Sequence, residues 1–458
     1  MIPQSLNTLA EWTDGRLLAG DAHAVVGSVC TDTRNITPGC LFVALSGERF
    51  DAHDFAAQAI EAGAAAVLVS RVVAVPAGAG VVLVEDTLIA LQAMAAAYRR
   101  VWDGFVIGLT GSNGKTSTKD MIRAVLARRF KVCATLGNLN NHIGLPLTVL
   151  SAEAEETHGV FEMGMNHPGE IAPLAAIAGP DVAVITNIGT AHIEYMGSRE
   201  AIALEKGMLA EAVHPDGMVI LNANDPFTPS LIARSQAQVL TAGTETGEVK
   251  VTDVHSSGAG CSFFLHLPDH SSAQVQLAVP GLHMAGNAAL AAAVGYHFGL
   301  RLEEIVEGLE GAVLTHGRLE LRAADGLLFL DDSYNANPDS MRAALETLLS
   351  FVCTGKRIAV LGRMGELGDT ADREHRALGA AIHLAGVDQL CVVGSGDAGL
   401  ISAGYLEASG NPSKHHSFAD HATCAAHLRA TAGPTDIILV KGSRSAAMER
   451  VIEPPAAV

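Results

Sequence analysis

No stretch of the 458-residue sequence approaches the ~18 consecutive apolar residues that a membrane-spanning helix needs, although 49% of its residues are hydrophobic. The start, MIPQSLNTLAEWTDG, lacks the basic segment and apolar run of a secretory signal. Both absences point to a cytoplasmic protein with no membrane insertion. Positive charge is scarce: 30 Lys and Arg stand against 49 Asp and Glu, a formal net charge of −19. A nucleic-acid binder carries a basic footprint, so no such partner is expected. The seven cysteines (Cys30, Cys40, Cys133, Cys261, Cys353, Cys391, Cys424) are odd in number and form no C-x-x-C pair. They read as reduced thiols, with neither a disulfide framework nor a zinc site. No Ser-His-Asp or Cys-His device is visible either.

What is present is a repeated alternation of apolar runs, turn residues and helical patterns, in a length that allows two to four domains at ~150 residues each. Up to Val84, the runs GCLFVAL, AAAVLVS and GVVLVE, with a helical pattern over 54–62, read as a small α/β unit. A helical segment, TLIALQAMAAAYRR, leads out of it. From Phe105 the pattern becomes strand, glycine loop, helix. The runs VFEMG, DVAVITNIG and GMVILNAN follow, as expected of a parallel sheet wrapped by helices. A more hydrophilic β-like stretch occupies 248–279, before an Ala-rich helix. Near Thr315 a further βαβ series begins, with LLFLDDSYNANP, RIAVLGRM, QLCVVGSG and DIILVKGSR. The chain is therefore read as α/β with three domains, at 1–84, 85–314 and 315–458.

The segment Thr110–Thr116 (Thr110, Gly111, Ser112, Asn113, Gly114, Lys115, Thr116) sits between the apolar run FVIGL and a helical pattern beginning near Thr118. A helix N-terminus there offers free N–H groups and the positive end of its dipole to an anion. Gly111 and Gly114 admit phosphate close to the backbone, Lys115 supplies a charge, and Thr116 supplies a hydroxyl for Mg²⁺. The spacing is the short T-G-x-x-G-K-T form, with Leu109 where the longer phosphate loop has glycine. ATP binding and hydrolysis are expected. Glu162 and His192 follow candidate strand ends, where α/β proteins place ligands, and can hold a divalent ion beside the phosphates. Taken alone, His192 would be an ordinary loop histidine and Lys206 a solvated helix lysine.

These segments in this order, with N-I-G-x-x-H, a helical Lys206, the Asn287-bearing helix and D-x-S-Y-N-A-N-P, resemble the Mur ligases over about residues 28–452. Within that family, DDSYNANPDSM, VKGSRSAAME and TDTRNITPGCLFVALSGERFDAHDF resemble the branch that joins D-alanyl-D-alanine to UDP-N-acetylmuramoyl-tripeptide through an acyl phosphate. The resemblance implies a small UDP-binding domain, a central parallel-sheet ATPase domain and a Rossmann-like C-terminal domain, in a protein expected to act as a monomer. It implies that Lys115 and Arg318 meet the phosphates, and that Asn287, Asp332, Tyr334 and Asn335 meet the nucleotide. It also implies that Thr116, Glu162, His192 and a CO₂-derived carbamate on Lys206 hold two Mg²⁺ ions. Thr31, Asp32 and Arg34 fall where the family grips the UDP-sugar, and Asn141 near the reacting carboxylate. Lys441, Ser443 and Arg444 fall where a substrate carboxylate or phosphate is clamped. Three positions depart from the pattern: Ala52 for glycine, Met284 for a frequent asparagine, and Arg363 for aspartate.

Overall fold

The structure, a computed structural model, describes residues 1–47, 50–258 and 260–453. Three large sheets succeed one another along the chain. The first has the strand order Arg16–Ala19, Gly80–Leu83, Ala66–Val69, Leu41–Val43, Val29–Cys30 and is parallel apart from its first pair. The unbroken apolar runs LFV and AVLV are wholly buried, as strands covered on both faces require. The helix expected over 54–62 is divided into a 3₁₀ turn, Ala52–Phe55, and an α-helix, Ala56–Glu61. The Asp51 carboxylate starts that turn by accepting the His53 N–H. Ala52 is not among the residues with positive φ, so no glycine is required there.

The helix Thr87–Val101 connects this unit to the next. It starts at Asp86, whose carboxylate accepts the N–H groups of Leu88 and Ile89. Its buried stripe includes Leu91, Met94, Ala95 and Tyr98. The Tyr98 hydroxyl donates to the Ala152 carbonyl at 2.5 Å and accepts the Ile2 N–H at 2.7 Å, fastening the start of the chain to the central unit.

Nine strands form the central sheet, in the order Val132–Ala134, His158–Glu162, Phe105–Thr110, Val182–Ile185, Met218–Asn222, Gln238–Thr244, Val249–Ser257, Gly260–His266, Ser272–Leu277. The first seven are parallel and the hydrophilic stretch ends the sheet with two antiparallel pairs. The chain leaves Phe105–Thr110 toward one edge and returns to its other side. That reversal opens a crevice at the carboxyl ends of the strands, where α/β sheets bind ligands. The Ala-rich helix Leu282–His297 lies against the helix Lys115–Leu126, with eleven of its residues buried.

The third sheet runs Glu320–Ala324, Leu327–Asp332, Ile437–Lys441, Arg357–Leu361, Gln389–Val393, His415–Phe418, parallel apart from its first pair. Its carboxyl ends face the central crevice. One apolar core continues from the central sheet through Leu290, Leu319 and Met341 to Leu361 and Ile401. No helix among the described residues is long and apolar enough to cross a membrane.

At the far end of the central sheet His158 is buried in an aromatic box of Phe105, Phe130 and Phe298, with ring centroids 5.5, 4.0 and 4.7 Å away. Its Nε2 is buried with no partner among the described residues, and burial pushes the imidazole pKa down from 6.5 to about 4. The unfolded chain therefore takes up a proton between pH 6.5 and about 4 that the folded chain refuses. This group's contribution to stability is full above pH 6.5 and falls as pH drops through that window. His158→Phe should flatten that part of the stability profile, read as the urea midpoint at pH 7 and pH 5. An unchanged slope would assign the acid sensitivity elsewhere.

Candidate active site

The crevice is a cavity of 1140 Å³ walled by the central and C-terminal units. Its floor is the phosphate loop. The helix begins at Lys115, three residues before the sequence pattern indicates, and Gly114 precedes it in the left-handed conformation with φ 77° and no side-chain cap. The first N–H groups are thus left free to face an anion. A Cβ at Gly111 would lie 1.8 Å from Thr186 Oγ1, and one at Gly114 would lie 2.6 Å from Asn287 Oδ1. Glycine is required at both positions because neighbours close in on the backbone. Thr186 Oγ1 donates to the Asn113 carbonyl at 2.6 Å, while Asn187 binds that carbonyl and accepts the Asn113 N–H. Ser112 Oγ accepts the Gly189 N–H at 2.8 Å. Lys115 Nζ curls back to the Gly111 carbonyl at 2.7 Å. Being hemmed in by protein lowers its pKa, as does the nearby Arg318 cation, while Glu162 pulls the other way.

Glu162 ends its strand at 2% exposure, with Oε2 accepting from Thr116 Oγ1 at 3.0 Å and Oε1 from Asn140 Nδ2 at 2.9 Å. His192 stands seven residues past its strand, with φ 64°, at the start of the short helix Ile193–Met196. Its Nδ1 lies 2.5 Å from Glu366 Oε2 of the C-terminal unit, and this contact holds the Glu366 carboxyl below its usual range. Lys206 is 1% exposed. Burial first, and then the Lys115 cation, hold its ammonium well below the usual lysine range. Among the described residues no three His, Cys, Asp or Glu side chains converge as a ready-made metal cage.

The opposite wall comes from the C-terminal unit. Arg318 donates to Thr116 Oγ1 at 3.2 Å, and its guanidinium carbon lies 4.2 Å from the Tyr334 ring centroid. Lys441 is buried and tied to Asp332 Oδ2 at 2.5 Å and to the Asn335 carbonyl at 3.0 Å. Ser443 Oγ sits 3.2 Å from Ser445 Oγ, and the Arg444 N–H points to Asn335 Oδ1 at 3.4 Å. Asn337 donates to Asn113 Oδ1, and Asp339 accepts both donors of Thr190.

The expected residues of the phosphate loop, Glu162, His192, Asn287, Arg318, Asp332, Tyr334, Asn335, Lys441 and Arg444 all contribute to this one cavity or its floor. Thr31, Asp32, Arg34, Lys206 and Ser443 do not line it. Asp32 and Arg34 form an ion pair at 2.6 Å, with Arg34 86% exposed. Asn141 lines the cavity, but its Oδ1 accepts the N–H groups of Ile143 and Gly144, and it is Asn140 that reaches Glu162. Asn187, Asn337 and Asp339 lie inside the N-I-G-x-x-H and DDSYNANPDSM segments but are given no role by them, while Asn140 and Thr186 carry no spacing that the sequence singles out. Arg363 donates to Ser445 Oγ at 2.9 Å, and Met284 is core, its sulfur 3.7 Å from Asn287 Nδ2.

A glycine loop, buried carboxylate and lysine on one wall, facing an arginine and a strand-end cluster on the other, is the arrangement of an ATP-using ligase, and the comparisons with known proteins agree. The chain matches the Mur ligase middle domain over residues 109–295, the Mur ligase glutamate ligase domain over 317–444, and the Mur ligase family catalytic domain over 25–99. It is 39% identical to the UDP-N-acetylmuramoyl-tripeptide–D-alanyl-D-alanine ligase of Bacillus subtilis (strain 168), over 99% of this chain and 98% of that protein. The enzyme of the same name from Escherichia coli (strain K12) is 38% identical, with the same coverage. MurF from Acinetobacter baumannii superposes with a TM-score of 0.88 at 35% identity, covering 98% of each chain. MurF ligase from Thermotoga maritima, in complex with ADP, gives 0.82 at 30% identity, covering 93% of this chain and 96% of that one. This chain belongs to the Mur ligase family.

Gly111→Ala should weaken ATP binding at least tenfold, ~1.4 kcal/mol, because its Cβ must displace Thr186 from the Asn113 carbonyl. Titration calorimetry with the folded variant checks this, and unchanged affinity would refute the close-approach account.

Proposed function

We propose that the chain is an ATP-dependent amide-bond ligase that joins D-alanyl-D-alanine to UDP-N-acetylmuramoyl-tripeptide and so completes the pentapeptide precursor of peptidoglycan. The observation that carries this reading is the meeting of the phosphate loop with Arg318 and Tyr334 across one cavity large enough for nucleotide and substrate together. Residues 1–84 hold the UDP-sugar through Thr31, Asp32 and Arg34, 85–314 hold ATP, and 315–458 close over the nucleotide and receive the dipeptide. The chain is read as a monomer working in the cytoplasm.

A carboxylate cannot form an amide in water without activation, because its oxygen is a poor leaving group. In the first step a carboxylate oxygen of the tripeptide's third residue attacks the γ-phosphorus of ATP. The bond to the β-phosphate oxygen breaks, and ADP remains. Lys115, the free N–H groups of the loop and Arg318 surround the transferring group and offset its charge. The amine of D-alanyl-D-alanine then attacks the acyl carbon. The tetrahedral intermediate loses a proton from nitrogen and expels phosphate as the C–O bond breaks. Both nucleophiles belong to substrates, so the protein's task is to position them and exclude water, which hydrolyses acyl phosphates.

The donor set fits Mg²⁺, which keeps water and phosphate oxygens among its ligands and needs no all-protein cage. Thr116, Glu162 and His192 would hold it, with Lys206 as a carbamate. When bound, the ion offsets the charge gathered where triphosphate and carboxylate meet. Lys206 suits carbamate formation because its depressed pKa leaves neutral amine to attack CO₂, forming an N–C bond and releasing a proton.

Phosphate release from ATP should require both the UDP-tripeptide and D-alanyl-D-alanine. Release indifferent to the dipeptide would sink the ligase reading. Lys206→Ala should lose activity at least about 100-fold, equivalent to ~2.7 kcal/mol in the barrier, and regain part of it with bicarbonate or short carboxylates. Full activity without rescue would exclude the carbamate.

A further inference from the structure

Two residues of the phosphate-loop helix hold the segment that leads into the C-terminal unit. Thr116 and Asp120 are four apart in the helix Lys115–Leu126 and so share a face. Thr116 Oγ1 accepts from Arg318, and Asp120 Oδ2 accepts both the N–H and the hydroxyl of Thr315, each at 2.8 Å. Asp120 is 8% exposed, and its neighbour Lys119, 3% exposed, balances it at 3.1 Å. Lys119 Nζ donates to the Thr135 carbonyl at 2.9 Å, and Thr135 Oγ1 accepts the Glu162 N–H at 2.9 Å. Glu162 in turn accepts from Thr116. These hydrogen bonds and the Asp120–Lys119 ion pair thus run from Thr315 through Asp120, Lys119, Thr135, Glu162 and Thr116 to Arg318, and the backbone from 315 to 318 closes the circuit.

Past the clamp the backbone turns through two left-handed residues, Gly317 with φ 73° and Leu319 with φ 53°, on either side of Arg318. A non-glycine residue in that region is strained and persists only where its surroundings hold it. Arg318 Nε is buried and has no partner among the described residues, so the guanidinium is held by Thr116 and the Tyr334 face alone. Fixing Thr315 removes the freedom that would let the strained turn relax and carry the guanidinium off Thr116.

We infer that Asp120, acting through Thr315, is a positioning residue that sets Arg318 over the phosphate loop. The inference rests on the ligase reading for the role of Arg318 at the phosphates.

A double-mutant cycle tests it, read as affinity for a non-hydrolysable ATP analogue by calorimetry on the full chain. Asp120→Asn should weaken binding about tenfold with Arg318 present and less than twofold in an Arg318→Ala background, because coupled residues are not additive. Thr315→Val should cost about threefold in the first background only, and Thr315→Ser should stay within twofold of the native chain. A purely structural anchor would instead cost the same in both backgrounds. Equal losses, or no loss with Arg318 present, overturn the inference. If Asp120→Asn does not fold, the Thr315 pair carries the same cycle. Dipeptide-independent phosphate release would sink the ligase reading while leaving this cycle intact, since analogue binding involves no acceptor.

Discussion

The helix Lys115–Leu126 starts without a side-chain cap, because Gly114 enters it in the left-handed conformation and offers no oxygen to its first N–H groups. That deficit is a demand for an anion, and the surroundings of the cavity are arranged about it. Residue spacing along the same helix then puts Lys115 beside the loop, Thr116 against Glu162 and Asp120 against Thr315. A cap supplied by serine or aspartate would add ~1 kcal/mol to the helix and would close the site.

The charge arrangement has the same logic. Lys115 lies within electrostatic reach of both Lys206 and Arg318, and burial depresses the two lysines. Lys115 and Arg318 held near one another cost free energy in the absence of ligand, which Glu162 and Glu366 offset in part. A triphosphate relieves that cost, which ties nucleotide binding to the electrostatics of the apoprotein. The Glu162 carboxylate is itself satisfied by two hydrogen bonds.

Between the units the contacts are polar. Asp339 meets Thr190, Asn337 meets Asn113, Glu366 meets His192 and Arg318 meets Thr116. Polar contacts across a crevice exchange readily for water, so these hold the units in register without welding them. The apolar continuity through Leu319 and Met341 supplies the cohesion behind that polar face.

Residues that act through local geometry were legible in the sequence. The glycine loop, its lysine and the alternation of buried strands and helices follow from backbone sterics and hydrophobic period alone, and the three α/β textures correspond to three sheets. The resemblance to the Mur ligases singled out Glu162, Arg318 and the strand-end cluster, which share one cavity, and Lys206, which is buried outside its lining, because their motifs have fixed spacing. Contacts between distant segments were not legible. Thr186 and Asn187 press on the loop from another strand end, and Asn140 rather than Asn141 reaches Glu162 because Asn141 is engaged in starting a helix. The sequence by itself determined that a helix N-terminus would face phosphate after a buried strand, since both ends of that turn are adjacent in the chain. Which side chains crowd Gly111, satisfy Glu162 and pin Thr315 was decided only by the tertiary structure, which brings together residues up to 224 positions apart in this site.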